Sequence, residues 1–146
     1  MRVLRAVLAI GLMAIGMIGL AGTASADGVT RDYQNFVSPS GNIACYIGGT
    51  GTEVRCDALE TTFTAPAKPA DCKLAWGKAI RLNADGAEFL CHGDTVFNTG
   101  IPTLGYGEIV RVGAVECGIH ADMGMICTAG THGFRLSRDS YALNSW

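Results

Sequence analysis

The chain has 146 residues, six of them cysteine, and a formal net charge of −2. It contains no run of basic residues, which leaves nucleic-acid binding and polybasic attachment to a membrane surface without electrostatic support. A chain of this length is expected to fold as one domain, and an even number of cysteines in a small exported chain predicts three disulfides.

The N-terminal segment has the three parts of a secretory signal peptide. Two arginines in the first five residues precede the apolar stretch 6–20, and small residues at a cleavage pattern end at Ala26. The apolar stretch is shorter than the ~20 residues of a membrane-spanning helix. No cysteine lies near the cleavage point, which argues against a lipid anchor. We therefore expect residues 1–26 to be removed after Ala26, leaving residues 27–146 as a single disulfide-rich β domain that is secreted or held in the cell envelope without a membrane anchor.

Residues 42–58 predict an antiparallel hairpin that turns in the glycine- and threonine-rich loop 48–52. Folding about this loop sets Cys45 opposite Cys56. Opposed residues in an antiparallel pair have Cα atoms about 4.5–5.5 Å apart, which a disulfide can span. Alternate residues form an apolar inner face and a mixed outer face. The inner face comprises Ile43, Cys45, Ile47, Val54, Cys56 and Ala58, and the outer face comprises Asn42, Ala44, Tyr46, Glu53, Arg55 and Asp57.

A second hairpin is predicted over residues 77–91, with its turn at 83–86. Before it, threonines and a phenylalanine at 61–64 favour a strand, and two prolines make 65–71 a connector. Closing the hairpin places Lys78 opposite Cys91, so the partner of Cys91 must come from elsewhere. Cys72 is the nearest unassigned cysteine and is assigned by elimination.

A third hairpin is predicted over residues 114–129, with its turn at 121–123, and it sets Cys117 opposite Cys127. The connection 92–104 before it holds a strand-like stretch at 95–97. Between this connection and the third hairpin, the alternation of apolar residues shifts at Gly113, which predicts a β-bulge there. After the hairpin we expect one more strand at 134–137, and at most one helical turn within 137–144.

The cysteines that end the three return strands, Cys56, Cys91 and Cys127, recur at nearly equal intervals. Such a recurrence is typical of β units packed around one core, and regular turn spacing in an ordinary β domain also produces it. The predicted fold class is all-β: a small disulfide-stapled antiparallel sandwich or closed barrel built on three hairpins, with a trefoil-like pseudo-repeat as an open alternative.

The chain resembles a family of small exported actinobacterial proteins that is defined as a domain of unknown function. The resemblance covers residues 36–141 and implies an exported domain without assigning any catalytic residue. It rests jointly on the segments Ser38–Cys45, Val54–Asp57, Trp76–Gly77, Cys91–Thr95, Leu104–Gly107 and Gly133–Tyr141.

No catalytic motif, phosphate-binding loop or metal-ligand spacing is present, so we expect no catalytic residue, no cofactor and no metal. All cysteines are assigned to disulfides, which leaves no thiol nucleophile. If function is localised, we expect it on the segments that follow the return-strand cysteines, 57–61, 92–96 and 128–135, because binding residues concentrate on loops of rigid scaffolds. The candidate ligand-site side chains on them are His92, Asp94, His132 and Arg135.

Other polar and aromatic residues have ordinary interpretations. His120 and Asp122 are expected to be solvated at a hairpin tip. An aromatic binding patch of Trp76, Tyr106, Tyr141 and Trp146 is conceivable, but buried packing is expected for at least Trp76 and Tyr106.

The leading functional hypothesis is an extracellular or cell-envelope module that binds an extracellular protein or an envelope glycan. The alternative is an envelope-directed hydrolase whose site is assembled from loops near His92 and His132. A purely structural envelope protein is a third possibility, and the sequence leaves the oligomeric state open.

Overall fold

The computed structural model describes residues 29–144, which form β-strands joined by turns and loops. Within that range no helix is long and apolar enough to cross a membrane. The predicted signal peptide and Trp146 lie outside the described residues. The strands in chain order are β1 (Thr30–Arg31), β2 (Asn35–Val37), β3 (Ile43–Ile47), β4 (Val54–Ala58), β5 (Ala79–Asn83), β6 (Gly86–Phe89), β7 (Ile109–Val112), β8 (Val115–His120), β9 (Gly124–Ala129), β10 (His132–Leu136) and β11 (Tyr141–Leu143).

The strands form two sheets that pack face to face. One sheet has five strands in the order β2-β3-β4-β5-β6, and the other has six in the order β1-β7-β8-β9-β10-β11. The all-β prediction is confirmed, and the fold is a sandwich rather than a closed barrel. The first two predicted hairpins are neighbours in one sheet, and the third belongs to the other sheet. The three hairpins are therefore not related by the threefold symmetry of a trefoil.

The three predicted hairpin registers are confirmed. Cys45 pairs with Cys56 across β3 and β4, Ile80 pairs with Phe89 across β5 and β6, and Cys117 pairs with Cys127 across β8 and β9. Because side chains alternate with a period of two, each register directs its apolar residues to the same side of the sheet. The alternation in the sequence was therefore sufficient to identify the core-facing side of these strands.

The core lies between the two sheets, where β10 packs on β5 and β6. Full burial of each large apolar side chain stabilises the fold by roughly 1.5–3 kcal/mol. The largest fully buried side chains are Phe36, Ile47, Val54, Ile80, Leu82, Leu104, Val110, Val115, Met125, Phe134 and Leu136.

The three predicted disulfides are confirmed. Two are cross-strand links, Cys45–Cys56 and Cys117–Cys127, each with a Cα–Cα distance of 4.1 Å. The third, Cys72–Cys91, joins a loop to the end of β6 and has a Cα–Cα distance of 5.7 Å. Chain-entropy arguments give each of these links roughly 3 kcal/mol, because each closes a loop of similar length in the unfolded chain.

The predicted bulge at Gly113 is wrong. Gly113 and Ala114 instead form a two-residue turn between β7 and β8, in which Val112 pairs with Val115. Gly113 has a φ of 57°, which glycine adopts without steric cost, so the chain reverses at the point where the alternation shifts. A tight reversal shifts the apparent alternation as a bulge does, and the sequence pattern did not distinguish the two.

Two further local predictions are wrong. Segment 61–64 is not a strand. It runs instead beside residues 138–139, where the Thr62 amide donates to the Arg138 carbonyl at 2.8 Å. Segment 95–97 is also not a strand, since it crosses a sheet face rather than extending an edge. Segment 137–144 contains β11 and no helical turn, which agrees with the prediction of at most one turn.

Candidate functional site

The connection from β6 to β7 crosses the outer face of the five-stranded sheet. We call residues 91–104 the crossover segment. It begins with a bridge between His92 and Ala75 near one edge of the sheet, and it ends with a bridge between Thr103 and Val37 at the opposite edge. Asp57, on the face predicted to point outwards, is only 3% exposed beneath this segment. The outer face of β4 is therefore a second, polar interior.

Asp57 anchors the crossover segment. Its Oδ2 accepts hydrogen bonds from Thr95 Oγ1 and from the Val96 amide, both at 3.0 Å. The same carboxylate accepts a bidentate pair from Arg55, with Nε at 2.7 Å from Oδ1 and Nη2 at 2.9 Å from Oδ2. These charge-assisted bonds satisfy a carboxylate whose side chain is 4% exposed, which a buried charge requires.

Asp94 binds the other side of the same guanidinium. Arg55 Nη1 donates to Asp94 Oδ1 at 2.7 Å, and Arg55 Nη2 donates to the Asp94 carbonyl oxygen at 2.9 Å. The hydrogen bond from Arg55, followed by its positive charge, lowers the pKa of Asp94 from its ordinary value. Arg55 thus joins a buried carboxylate on β4 to an exposed one on the crossover segment.

His92 contacts the same cluster through Nδ1, which donates to the Asp94 carbonyl oxygen at 2.7 Å and lies 3.0 Å from Arg55 Nη2. Its Nε2 is buried and has no hydrogen-bond partner among residues 29–144. The Asp94 carboxylate bonds to Arg55 rather than to the imidazole. His92 and Asp94 are therefore neighbours, as their sequence proximity suggested, but they are arranged around a cation and not as an acid–base pair.

The other two predicted candidates lie elsewhere. His132 begins β10 and lines a shallow apolar cavity of about 330 Å³ with Thr52 and Ala84, at the tips of the first two hairpins. Arg135 lies between the inward-facing Phe134 and Leu136, so its side chain lies on the outer face of the six-stranded sheet. The structure thus brings together segments 57–61 and 92–96, and it leaves 128–135 on the other sheet.

Within residues 29–144, the only group of three or more potential metal ligands consists of cysteines. The Sγ atoms of Cys45, Cys56 and Cys127 lie within 4.8 Å of one another. All three are in disulfides, and a disulfide sulfur lacks the thiolate charge with which cysteine binds metals.

A polar cleft opens at the end of the sandwich where the turn between β2 and β3 lies. Its two adjoining cavities have volumes of about 400 and 190 Å³ and share Ser40, Asn42 and Arg138. Five separate stretches line it: the turn 38–42, residues 59–60, the segment around Tyr106, the hairpin tip 120–122 and the turn 137–139. We call it the end cleft.

Side-chain hydrogen bonds to other chain segments make part of the end cleft rigid. The Asn42 side chain pairs with the backbone of Glu60, accepting from its amide at 2.9 Å and donating to its carbonyl at 3.0 Å. Thr62 Oγ1 donates to Asp139 Oδ1 at 2.7 Å. Ser38 Oγ accepts from the Ile43 amide at 3.1 Å, which closes the turn. The residues of the lining therefore hold their positions through contacts with distant segments.

Other polar groups around the end cleft have no protein partner in the described structure. These are the side chains of Tyr106, His120 and Asp122, while Arg138 approaches Glu60 only to 3.7 Å. Tyr106 is 55% exposed, so its predicted buried role is wrong. Trp76 and Tyr141 instead pack with Phe89 in an aromatic cluster, at centroid distances of 5.9 and 4.8 Å. From the sequence, His120 and Asp122 were expected at a solvated hairpin tip and Tyr106 in the core, so these side chains were missed as ligand-site candidates. They meet through contacts between distant segments, which the sequence pattern does not report.

Comparison with known proteins gives one match. A family model described as a family of unknown function (DUF6636) covers residues 12–144. No curated protein and no solved structure matches the chain. Since that family model spans nearly the whole sequence, the chain belongs to the family of unknown function DUF6636.

Proposed function

We propose that this protein is an exported binding module of the cell envelope, and that its end cleft binds a neutral, hydroxyl-rich ligand of the envelope-glycan class. The observation that carries the proposal is the convergence of five separate chain segments on one cleft whose polar groups are partly free. Concave sites with a few convergent polar groups are where ligands bind in most folds.

The chemistry of the lining favours a glycan over a charged ligand. Arg138 lies near Glu60, and Asp139 is bonded by Thr62, so the positive and negative groups are partly compensated within the cleft. The Ser40 hydroxyl both donates and accepts, and the Asp122 carboxylate accepts, which suits sugar hydroxyls. Tyr106 adds an exposed ring with an apolar face and a polar tip, which matches the apolar face and hydroxyl rim of a sugar.

Export is supported by two independent features. The N-terminal pattern that ends at Ala26 is that of a signal peptide. All six cysteines form disulfides, which persist in oxidising compartments outside the cytosol.

The proposal is tested by titrating the isotope-labelled protein with neutral glucan, mannan and galactan oligosaccharides and following backbone amide shifts. We expect saturable shifts at Ser40, Tyr106 and Asp122 with at least one of them. Tyr106→Ala should weaken that binding roughly tenfold or more, equivalent to about 1.4 kcal/mol.

Tyr46→Ala is the matched control, because Tyr46 is a comparably exposed tyrosine on the outer face of β3, away from the cleft. It should leave the affinity unchanged. Equal affinities for the Tyr106 and Tyr46 variants, or shifts that avoid the end cleft, would contradict the assignment of the site.

A further inference from the structure

The two disulfides of the core face each other across the sandwich. Cys45–Cys56 links β3 to β4, and Cys117–Cys127 links β8 to β9 on the opposite sheet. The Sγ atom of Cys56 lies 3.9 Å from the Sγ atom of Cys127, and all four cysteines are completely buried. Each hairpin positions its own pair, and the packing of the two sheets brings the pairs into contact.

The contact is not symmetric. The sulfurs of Cys45, Cys56 and Cys127 all lie within 4.8 Å of one another, and among the described residues Cys117 is not a member of that group. Cys127 is therefore the sulfur of its pair that meets the other sheet, and Cys56 is in direct contact with it. We call these three residues the sulfur cluster.

We propose that the sulfur cluster is an intramolecular thiol–disulfide exchange site that transfers a covalent link from within one sheet to between the two sheets. When Cys56 carries a free thiol, its thiolate attacks Sγ of Cys127. The Cys56–Cys127 bond forms, the Cys117–Cys127 bond breaks, and Cys117 leaves as a thiolate that takes up the proton. One disulfide and one thiol are present before and after the step, so it consumes no oxidant or reductant.

In the wild-type protein the first thiol comes from a dithiol reductant, which reduces Cys45–Cys56 and is itself oxidised to a disulfide. Exchange then leaves Cys45 and Cys117 as thiols and joins Cys56 to Cys127. Sheets packed about 10 Å apart accommodate such a link, since immunoglobulin domains carry an inter-sheet disulfide. None of the three disulfides in the described structure joins one sheet to the other, so the exchanged form has a constraint that the native form lacks.

Burial limits the exchange in two ways. A dithiol reductant reaches Cys45–Cys56 only when the fold opens locally. Burial also disfavours the thiolate, so the exchange is slow and is accelerated by alkaline pH.

The test uses Cys45→Ser, which frees Cys56 without any reductant. The folded variant is incubated without oxygen at about pH 8, where thiolates form, then alkylated at low pH and mapped by non-reducing peptide analysis. We expect a Cys56–Cys127 peptide together with alkylated Cys117. The matched control is Cys127→Ser, which frees Cys117, the cysteine outside the cluster, and should retain Cys45–Cys56.

The Cys56–Cys127 peptide in Cys45→Ser should exceed any rearranged core peptide in the control roughly tenfold or more, because exchange requires contact between the attacking thiolate and the disulfide. Complete retention of Cys117–Cys127 with fully alkylated Cys56 would overturn the proposal. So would an equal degree of rearrangement in the control.

A double variant, Cys45→Ser with Cys117→Ser, leaves only Cys56 and Cys127 in the core. On oxidation it should form the inter-sheet link while Cys72–Cys91 remains intact. If both core cysteines stay reduced under those conditions, the proposal fails. Should these variants not fold, wild-type protein partially reduced with a dithiol and trapped by acid replaces them: Cys56–Cys127 among the two-disulfide species supports the exchange, and its absence overturns it.

Discussion

Asn144 closes the free edge of β6 by pairing its side-chain amide with the backbone of Ala87. Asn144 Oδ1 accepts from the Ala87 amide at 2.9 Å, and Nδ2 donates to the Ala87 carbonyl at 3.1 Å. The two bonds mimic a strand pairing and connect the end of the six-stranded sheet to the edge of the five-stranded one. Asn144 adopts a φ of 52°, a left-handed conformation that asparagine tolerates better than most residues.

We expect Asn144→Gly to destabilise the fold by about 1–3 kcal/mol, because it leaves the buried Ala87 backbone groups unpaired without adding strain at positive φ. Urea unfolding measures the change. Asn98→Gly, which removes only a local bond to Thr99, is the control and should cost less. An unchanged unfolding midpoint for the Asn144 variant would show that the pairing contributes nothing.

Gly51 and Gly113 let two turns from opposite sheets approach each other. A Cβ on Gly51 would lie 2.2 Å from the Val112 carbonyl oxygen, and both glycines have positive φ. The Ala114 amide donates to the Gly51 carbonyl across this contact at 2.9 Å. Gly51→Ala should therefore cost more than the ~1–2 kcal/mol of a left-handed alanine.

Gly130→Ala is the control that separates the cost of a left-handed backbone conformation from the cost of a steric clash. Gly130 has a φ of 62° and open space around its Cβ position. The variant should show the conformational cost alone. Equal losses of thermal stability for the two variants would mean that the close approach of the turns is not limiting.

Asp57→Ala should destabilise the protein by about 3–5 kcal/mol, since it leaves the Arg55 charge and the Val96 amide without their buried partner. Amide hydrogen exchange should rise specifically over the crossover segment and stay low in β9. Asp57→Asn retains an acceptor for Val96 and should release the segment less. Uniform exchange changes across both sheets would indicate global destabilisation instead of release of the crossover segment.

The Arg55–Asp94 pair predicts a defined pH dependence. Arg55 lowers the pKa of Asp94 in the folded state, whereas the unfolded chain keeps an ordinary value of about 3.9. The pair therefore stabilises the fold fully above about pH 4, and this contribution disappears as pH falls through the lower folded pKa. The Tm difference between wild type and Asp94→Asn should be constant near neutral pH and shrink in acid.

Asp85→Asn provides the comparison for that experiment, because Asp85 makes no ion pair in the described part of the chain. Its Tm difference from wild type should vary less between neutral and acid pH. A difference for Asp94→Asn that grows in acid would have the wrong sign for the ion pair.

The proposed export predicts a mature N-terminus at Asp27, because the small residues before it match the pattern of a signal-peptidase site. Intact-mass measurement of protein recovered from the culture medium or the envelope fraction checks this. A membrane-bound form that retains Met1 would contradict cleavage.

The sequence by itself was enough to predict the hairpins and their disulfides. Cys45 and Cys56 lie close in the chain and flank a loop of glycine and threonine, so their pairing depends on local alternation and one turn. Cys117 and Cys127 likewise lie close in the chain, on either side of the turn at 121–123. Register is strongly specified when one face is buried, because a slip of one residue would expose the whole apolar set.

Only the tertiary structure decided which polar residues meet. Asp57 belongs to the face that alternation assigned to solvent, and it is buried because a segment from far along the chain crosses above it. Tyr106 is exposed because the end cleft opens beside it, and Cys56 touches Cys127 because the two sheets stack. These contacts join residues distant in sequence, and periodicity reports only which side of its own strand a residue occupies.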